Sequence, residues 1–409
     1  MSVSGVLTSV SVLGFGRELT VARADQKPGR RRAVPEPRRR LRSSSHDRNV
    51  ARAKTGRVNG AAHPAADRSA PASVDVKPGI LTRLRPPLRA LVATLWLLVT
   101  AAGLTALRLA WSPVVTPSWL AVAGAVTVTT TFTFGLAART GGRAAISGLL
   151  ALVLSTAAAV SGLPVLLAGA ALGTAVVAAV FGVMATKPAA GFAAVVRECL
   201  VAVAVGATGA FAVEAYQAEV SIERFGYLAL GLALLGAMDL VYRLGAGLQG
   251  LGKRGVVMVV SGLVLLTVSM AYTEALARWG SPGLGDSIEE FREMMLAMIG
   301  AVPRPIEFLL GIPALVWGVS TRARRRQGWW VCAFGAAGIA GISVSLLDPT
   351  MSLVEAGLSV LYGLIIGLFL GYLVIRADKF LTGARGRRAR QLEEAAAHRP
   401  EPSRMQPLL

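Results

Sequence analysis

The stretch PVLLAGAALGTAVVAAVFGVMA, residues 164–185, is 22 residues long and has no charged side chain. A helix of about 20 apolar residues is long enough to cross the roughly 30 Å hydrocarbon core of a bilayer. The whole chain has the same character, since 54% of its 409 residues are hydrophobic and 16% are charged. This balance differs from that of a soluble domain and predicts an integral membrane protein.

Ten apolar runs of this kind predict about ten transmembrane helices. They lie at residues 88–110, 117–138, 144–161, 164–185, 195–214, 226–243, 255–273, 305–320, 328–347 and 351–375. Only the short break SGLP, residues 161–164, separates the third run from the fourth, so one long kinked helix is the alternative there. We expect two helices at this place, and an all-α, polytopic membrane helix bundle for the protein as a whole.

The distribution of Lys and Arg predicts the orientation of the bundle, because positively charged short loops stay on the cytoplasmic side. With the N-terminus inside, the four internal cytoplasmic loops hold eleven Lys and Arg. The five exterior connections hold only four, against ten acids. An even number of spans returns the chain to its starting side. Both termini are therefore predicted to be cytoplasmic, and the protein is predicted to lie in the cytoplasmic (plasma) membrane.

The formal net charge of +20 has its main source in the N-terminal tail. Residues 1–89 carry nineteen Lys and Arg against six acids, and the segment KPGRRRAVPEPRRRLR, residues 27–42, has no apolar periodicity. Such a composition is typical of disorder. We predict a disordered basic cytoplasmic tail at 1–87, a transmembrane domain at 88–375 and a basic cytoplasmic tail at 376–409. Beside a membrane span, basic tails favour contact with the bilayer and its anionic lipids, and no nucleic-acid partner is expected.

Residue types that commonly carry catalysis are missing from the predicted bundle. Every histidine lies in a tail, which excludes a His-based metal site or triad within the membrane; the three are His46, His63 and His398. The segment GAGLQGLGKRG, residues 245–255, fits G-x-G-x-x-G, but membrane spans flank it and no Ser or Thr follows the Lys. We therefore predict no enzyme activity, no cofactor and no metal.

Ionisable residues inside membrane spans are costly, and for that reason they are candidate functional residues. Asp239 is followed four residues later by Arg243, so a structural ion pair near the cytoplasmic interface is the main interpretation and a transport carboxylate is the alternative. Glu307 and Glu355 lie about one turn inside the predicted outer boundary. They are either interfacial carboxylates that reach water or a pair that lines an outward-facing entrance.

The last span carries glycines at every fourth position, Gly363, Gly367 and Gly371. Glycines with this spacing lie on nearly one face of a helix and permit close helix packing. We expect this packing face to contact another helix of the same chain. A homo-oligomer formed through the same face is the alternative.

The segment SIEEFREMMLAMIGAVPRPIEF, residues 287–308, combines acids with apolar residues at helical spacing. We predict an amphipathic helix at about 287–302 on the exterior side. Its apolar residues gather on one face, and its acids turn away from that face. An anchor that lies along the membrane interface is favoured over a lid on a ligand path.

The chain contains 37 Arg against 6 Lys, with abundant Ala and Gly. In this usage it resembles the uncharacterised multi-pass membrane proteins of GC-rich actinobacteria. The count of ten spans is similar to that of the drug/metabolite transporter superfamily, without a residue motif in support. We predict small-molecule transport as the function. The alternatives are a scaffold or regulatory subunit of an envelope assembly and, after it, a membrane-embedded transferase.

Overall fold

The computed structural model describes residues 86–112, 117–246, 256–257, 259–268, 270–271, 282–324, 328–382, 401–402, 404 and 406–408. Within these residues the chain forms helices and no strand, so the all-α prediction is confirmed for this part of the protein. In chain order the helices are α1 (Pro86–Ala110), α2 (Trp119–Arg139), α3 (Ala144–Ser161), α4 (Pro164–Met184), α5 (Phe192–Ala215), α6 (Ile222–Val241), π1 (Tyr242–Ala246), α7 (Val259–Val268), α8 (Pro282–Ile299), π2 (Ile306–Gly311), α9 (Ile312–Arg322), α10 (Gly328–Leu347) and α11 (Leu353–Thr382). Residues 1–85 of the tail predicted at 1–87, and residues 247–255, lie outside the described residues.

Eight of the described helices are long and apolar enough to cross a membrane. They are α1 to α6, α10 and α11, and they coincide with eight of the ten predicted spans. Helix α11 is the longest, with 30 residues, and it continues to Thr382, past the predicted span end at residue 375. These helices define the protein as a multi-pass membrane protein.

The other two predicted spans fall on shorter helices. The span at 255–273 contains α7, which has described helical residues from Val259 to Val268. The span at 305–320 falls on the six residues of π2 and on α9, whose eleven residues continue to Arg322, so the two helices have seventeen residues in all. That length is at the lower limit for crossing a bilayer.

The break at residues 161–164 separates two helices, as we expected. Gly162 ends α3 with φ 61°, a left-handed conformation that favours glycine, and Pro164 occupies the first turn of α4. The Arg139 Nε at the end of α2 donates a hydrogen bond to Met184 O at the end of α4, at 3.1 Å. Helix α3 therefore leads away from this end of the bundle, and α4 returns to it.

Helix α10 forms the centre of the bundle, because it packs against α4, α5, α6, α9, π2 and α11. Its glycines permit close contact between backbones. A Cβ atom on Gly338 would lie 2.6 Å from Gly311 Cα at the end of π2. A Cβ atom on Gly335 would lie 3.0 Å from Leu315 Cβ in α9. The π2–α9 segment and α10 are thus in contact along their length.

The glycine face of α11 packs against the π2–α9 segment of the same chain. A Cβ atom on Gly367 would lie 2.6 Å from Ile312 Cβ, and one on Gly371 would lie 2.6 Å from Val316 Cβ. The third glycine, Gly363, faces Glu307. The close contact that these glycines permit is therefore made within the chain.

Helix α8 covers most of the predicted amphipathic segment at 287–302. Apolar side chains such as Phe291 and Met298 are exposed along it. Hydrogen bonds from α11 hold the C-terminal end of α8 and the residues that follow it: Tyr362 Oη donates to Ile299 O at 2.9 Å, and Ser359 Oγ donates to Val302 O at 2.8 Å. An apolar face exposed in this way fits a helix that lies on a membrane surface.

Candidate functional site

A cavity of about 320 Å³ lies between α6, π2 and α10 at one end of the bundle. Its walls are mostly apolar. The lining residues are Ile222, Glu223, Gly226, Tyr227, Leu230, Met270, Arg304, Pro305, Ile306, Glu307, Ala337, Gly341 and Val344. Most of these side chains are aliphatic or aromatic, so the charged residues among them determine which ligand the cavity accepts.

Glu307 is the buried charged residue of the cavity, with 4% of its surface exposed. Its carboxylate lies between two glycines of neighbouring helices. A Cβ atom on Gly341 of α10 would lie 3.1 Å from Glu307 Oε1, and one on Gly363 of α11 would lie 3.1 Å from Oε2. The absence of a side chain at these two positions therefore leaves the space that the carboxylate occupies.

The depth of this carboxylate follows from the positions of the two glycines. Gly363 is ten residues from the start of α11, which corresponds to about 15 Å along the helix axis. Gly341 is six residues from the end of α10, or about 9 Å. Half of a hydrocarbon core is about 15 Å thick. The Glu307 carboxylate therefore lies well below the ends of the helices that surround it.

The backbone around Glu307 is a π-helix for a local reason. Pro313 has no N–H group, so the helix lacks the hydrogen bond that residue 313 would donate. Ile312 N–H instead donates to Glu307 O, five residues earlier. A π-helix is rare and often marks a functional site. Here it places an acidic side chain inside the bundle.

The hydrogen bonds of Glu307 are incomplete. Its Oε1 atom has no hydrogen-bond partner among the described residues. Arg304 also lines the cavity, but its Nη2 lies 3.7 Å from Met351 Sδ. A buried carboxylate oxygen without a hydrogen-bond partner can bind a cationic group or exchange a proton. The arrangement therefore suits a ligand with one positive charge and an apolar body.

The other three predicted site residues lie apart from this cavity. Asp239 Oδ2 is 2.8 Å from Arg243 Nε, and both side chains are largely exposed, at 53% and 72%. Glu355 N–H donates to Ser352 Oγ at 3.1 Å, which is the N-cap contact of α11. Glu307 is thus the only one of the four candidates that lines the cavity.

No motif in the sequence identifies the residues that surround Glu307. Gly341 and Gly363 lie 34 and 56 residues further along the chain. Their contact with Glu307 depends on how π2, α10 and α11 pack. Gly363 was predicted to serve helix packing, and it also borders the carboxylate. Tyr227 and Ala337 line the cavity without a motif that would identify them.

No family model, curated protein or solved structure matches the chain. The resemblances in residue usage and span count therefore have no relative to support them.

Proposed function

We propose that the protein is a small-molecule transporter and that the cavity around Glu307 is its solute site. The observation that carries the proposal is a carboxylate buried among apolar walls, at a π-helix, well inside the bundle. An ionisable residue at this depth is costly in a membrane and is retained where it serves an ion or solute path. Irregular helices in transporters commonly occur where the backbone lines such a site.

The chemistry of the cavity indicates the class of solute. A single buried carboxylate favours a group that carries one positive charge, and the apolar walls favour an organic body. We therefore propose an organic monocation as the solute. The same carboxylate can take up a proton when the solute leaves, which would couple the two movements.

We also propose ten spans. Arg139, Met184 and Arg322 share one end of the bundle, where α2, α4 and α9 end. Ile222 and Arg304 line the cavity at the opposite end. Helix α6 begins at this opposite end, and so does π2. The chain must cross between these ends an odd number of times after α6 and before π2. The apolar run at 255–273, which contains α7, supplies one crossing, and π2 with α9 supplies the next.

The orientation and the membrane are part of the same proposal. The predicted cytoplasmic loops, which contain eleven positive charges, lie at the end of the bundle that holds Arg139 and Arg322. The cavity then faces the exterior, both termini lie in the cytoplasm, and the membrane is the cytoplasmic membrane.

Uptake into proteoliposomes tests the transport proposal. The purified protein is reconstituted with a proton gradient, and uptake is measured for a panel of fluorescent organic monocations and matched organic anions. We expect uptake of at least one cation above protein-free liposomes, loss of this uptake in Glu307→Gln, and little change in Glu355→Gln, which lies outside the cavity. Uptake that is equal in Glu307→Gln and the wild type, or uptake of anions alone, would contradict the proposed site.

A further inference from the structure

Two arginines are fully buried at the end of the bundle opposite the Glu307 cavity. Arg139 is the last residue of α2, and Arg322 is the last residue of α9. Neither side chain is exposed. Both belong to the eleven Lys and Arg that predict the cytoplasmic loops. A buried guanidinium is costly unless anionic or carbonyl oxygens surround it, so the acceptors around each arginine define what this place binds.

Acceptors within the bundle hold both arginines in place. Arg322 Nη1 donates to Thr186 Oγ1 at 2.7 Å, and Arg322 Nη2 donates to Thr186 O at 3.0 Å. The Arg322 guanidinium lies 3.4 Å from the centre of the Trp329 ring. Arg139 Nε donates to Met184 O. These acceptors are uncharged, and a buried guanidinium also favours an anion beside it.

The C-terminal segment of the chain supplies that anion. Glu401 Oε2 lies 2.8 Å from Arg322 Nη2 and 3.5 Å from Arg139 Nη2, so one carboxylate oxygen bridges the two arginines. The backbone of the segment continues around Arg139. Pro402 O and Gln406 O each accept from Arg139 Nη1 at 3.2 Å, and Leu408 N–H donates to Arg139 O at 3.0 Å.

A second contact fixes the same segment. Arg404 Nη2 lies 2.9 Å from the carboxylate of Glu198, which is fully buried, and Arg404 Nη1 donates to Ala185 O at 2.7 Å. Glu198 also accepts from Lys187 N–H at 2.8 Å and from Arg197. The segment therefore brings one acid to two buried arginines and one arginine to a buried acid.

The contact between Glu401 and Arg322 uses only part of the guanidinium. The Nε and Nη2 atoms form the edge on which arginine binds a carboxylate or phosphate with two parallel hydrogen bonds. Of these two atoms, Glu401 contacts Nη2. Arg322 Nε is buried and has no acceptor among the described residues. A free oxyanion with a second oxygen in reach of Nε would use the full edge.

We propose that Arg139 and Arg322 form an oxyanion-binding site and that residues 401–408 are its tethered ligand, with the Glu401 carboxylate in the place of a phosphate group. Eighteen residues, 383–400, separate the segment from the end of α11, a reach of about 60 Å when extended. A connection of this length is long enough for the segment to leave the site. A phosphate-bearing solute on this side of the membrane competes with it, and its binding releases the segment from the end of the bundle. This site is independent of the Glu307 cavity.

The first test uses the full-length protein in a neutral detergent with Glu401→Gln. Thermal unfolding is followed with a dye that reacts with the buried thiols. We expect the variant to melt several degrees below the wild type, and Glu394→Gln, a matched acid in the same tail, to melt with the wild type. Inorganic phosphate should raise the midpoint of Glu401→Gln saturably, with chloride at equal ionic strength as the control. Equal melting of Glu401→Gln and the wild type, or equal effects of phosphate and chloride, would overturn the proposal.

The second test follows the segment itself, in case a change at the site impairs folding. A spin label at Ser403→Cys, with Cys199→Ala and with Cys332→Ser to keep an acceptor near Arg322 Nη1, should become more mobile as phosphate is added. Arg322→Lys keeps the charge but loses the paired donors, and it should require a phosphate concentration several times higher. Repeating the measurement in nanodiscs of anionic or of zwitterionic lipid separates a lipid headgroup from free phosphate as the competitor. If the mobility of the label changes neither with phosphate nor with anionic lipid, the proposal is contradicted.

Discussion

The contact between Gly311 and Gly338 holds the Glu307 segment against the central helix, and Gly338→Ala perturbs it directly. The new Cβ atom would lie 2.6 Å from Gly311 Cα and 3.3 Å from Gly311 C. Both are backbone atoms, which cannot rotate away as the end of a flexible side chain can. The helices must therefore separate for the substitution to fit.

The magnitude follows from the required separation. Two carbon atoms in contact prefer about 3.5–4.0 Å, so π2–α9 and α10 must move apart by about 1 Å. A gap of this size loses a substantial part of each contact along the interface, and overpacking of this kind typically costs about 1–3 kcal/mol. The helix propensity of Ala returns up to about 1 kcal/mol. We expect a net loss of about 1–2 kcal/mol in the free energy of unfolding.

Gly357→Ala is the matched control, because a Cβ atom on Gly357 of α11 meets nothing within 4 Å. This variant should be as stable as the wild type, or more stable by up to about 1 kcal/mol. Unfolding is measured in detergent by the reaction of a thiol dye with Cys199 and Cys332, which are both buried. If Gly338→Ala unfolds at or above the midpoint of Gly357→Ala, the close packing of π2 against α10 is wrong.

Three further predictions concern other parts of the bundle. Asp239→Ala should lower the free energy of unfolding by no more than about 1 kcal/mol, since the pair with Arg243 is exposed. Adding Arg243→Ala should recover part of this loss in a double-mutant cycle. If nothing is recovered, the two residues do not stabilise each other. A cysteine at Ser281 should react with an impermeant thiol reagent in intact cells and one at Gln327 should not; the reverse pattern would invert the orientation. Spin labels placed singly along 287–302 should show solvent accessibility with a period near 3.6 residues, whereas a flat profile would exclude an interfacial helix.

The membrane helices could be predicted from the sequence because each span is decided by a local property. An apolar run of sufficient length forms a helix in a bilayer, whatever its neighbours are. The break after Ser161 could be predicted in the same way, because glycine readily ends a helix and proline readily begins one. The predicted spans that contain α7 and the π2–α9 segment are the exceptions, because the length of the apolar run does not decide there whether a single regular helix forms.

The candidate site could be predicted only in part. Glu307 was identified because an acid in an apolar run is costly wherever it lies. Its π-helical backbone and its position between Gly341 and Gly363 depend on helix packing, which a single sequence does not specify. The structure buries Glu307, with 4% of its surface exposed, and Glu355 is not among the residues that line the same cavity.

The burial of Arg139 and Arg322 could not be predicted for a related reason. Each follows an apolar run, and the topology rule assigns such residues to a solvated loop. Their burial depends on Glu401, which is 262 residues away from Arg139 in the chain. A charge pairing over this distance leaves no periodicity or motif in the sequence.

The proposal of transport requires that the Glu307 cavity opens in turn to the two sides of the membrane. A cysteine at Ala337, which lines the cavity halfway along α10, tests it without knowledge of the solute. In a background with Cys199→Ala and Cys332→Ala, an impermeant thiol reagent is applied to intact cells and to inside-out vesicles. Transport predicts reaction at Ala337→Cys from both sides, while Ser221→Cys reacts from the outside alone. Reaction at Ala337→Cys from only one side under every condition would contradict transport and favour a scaffold.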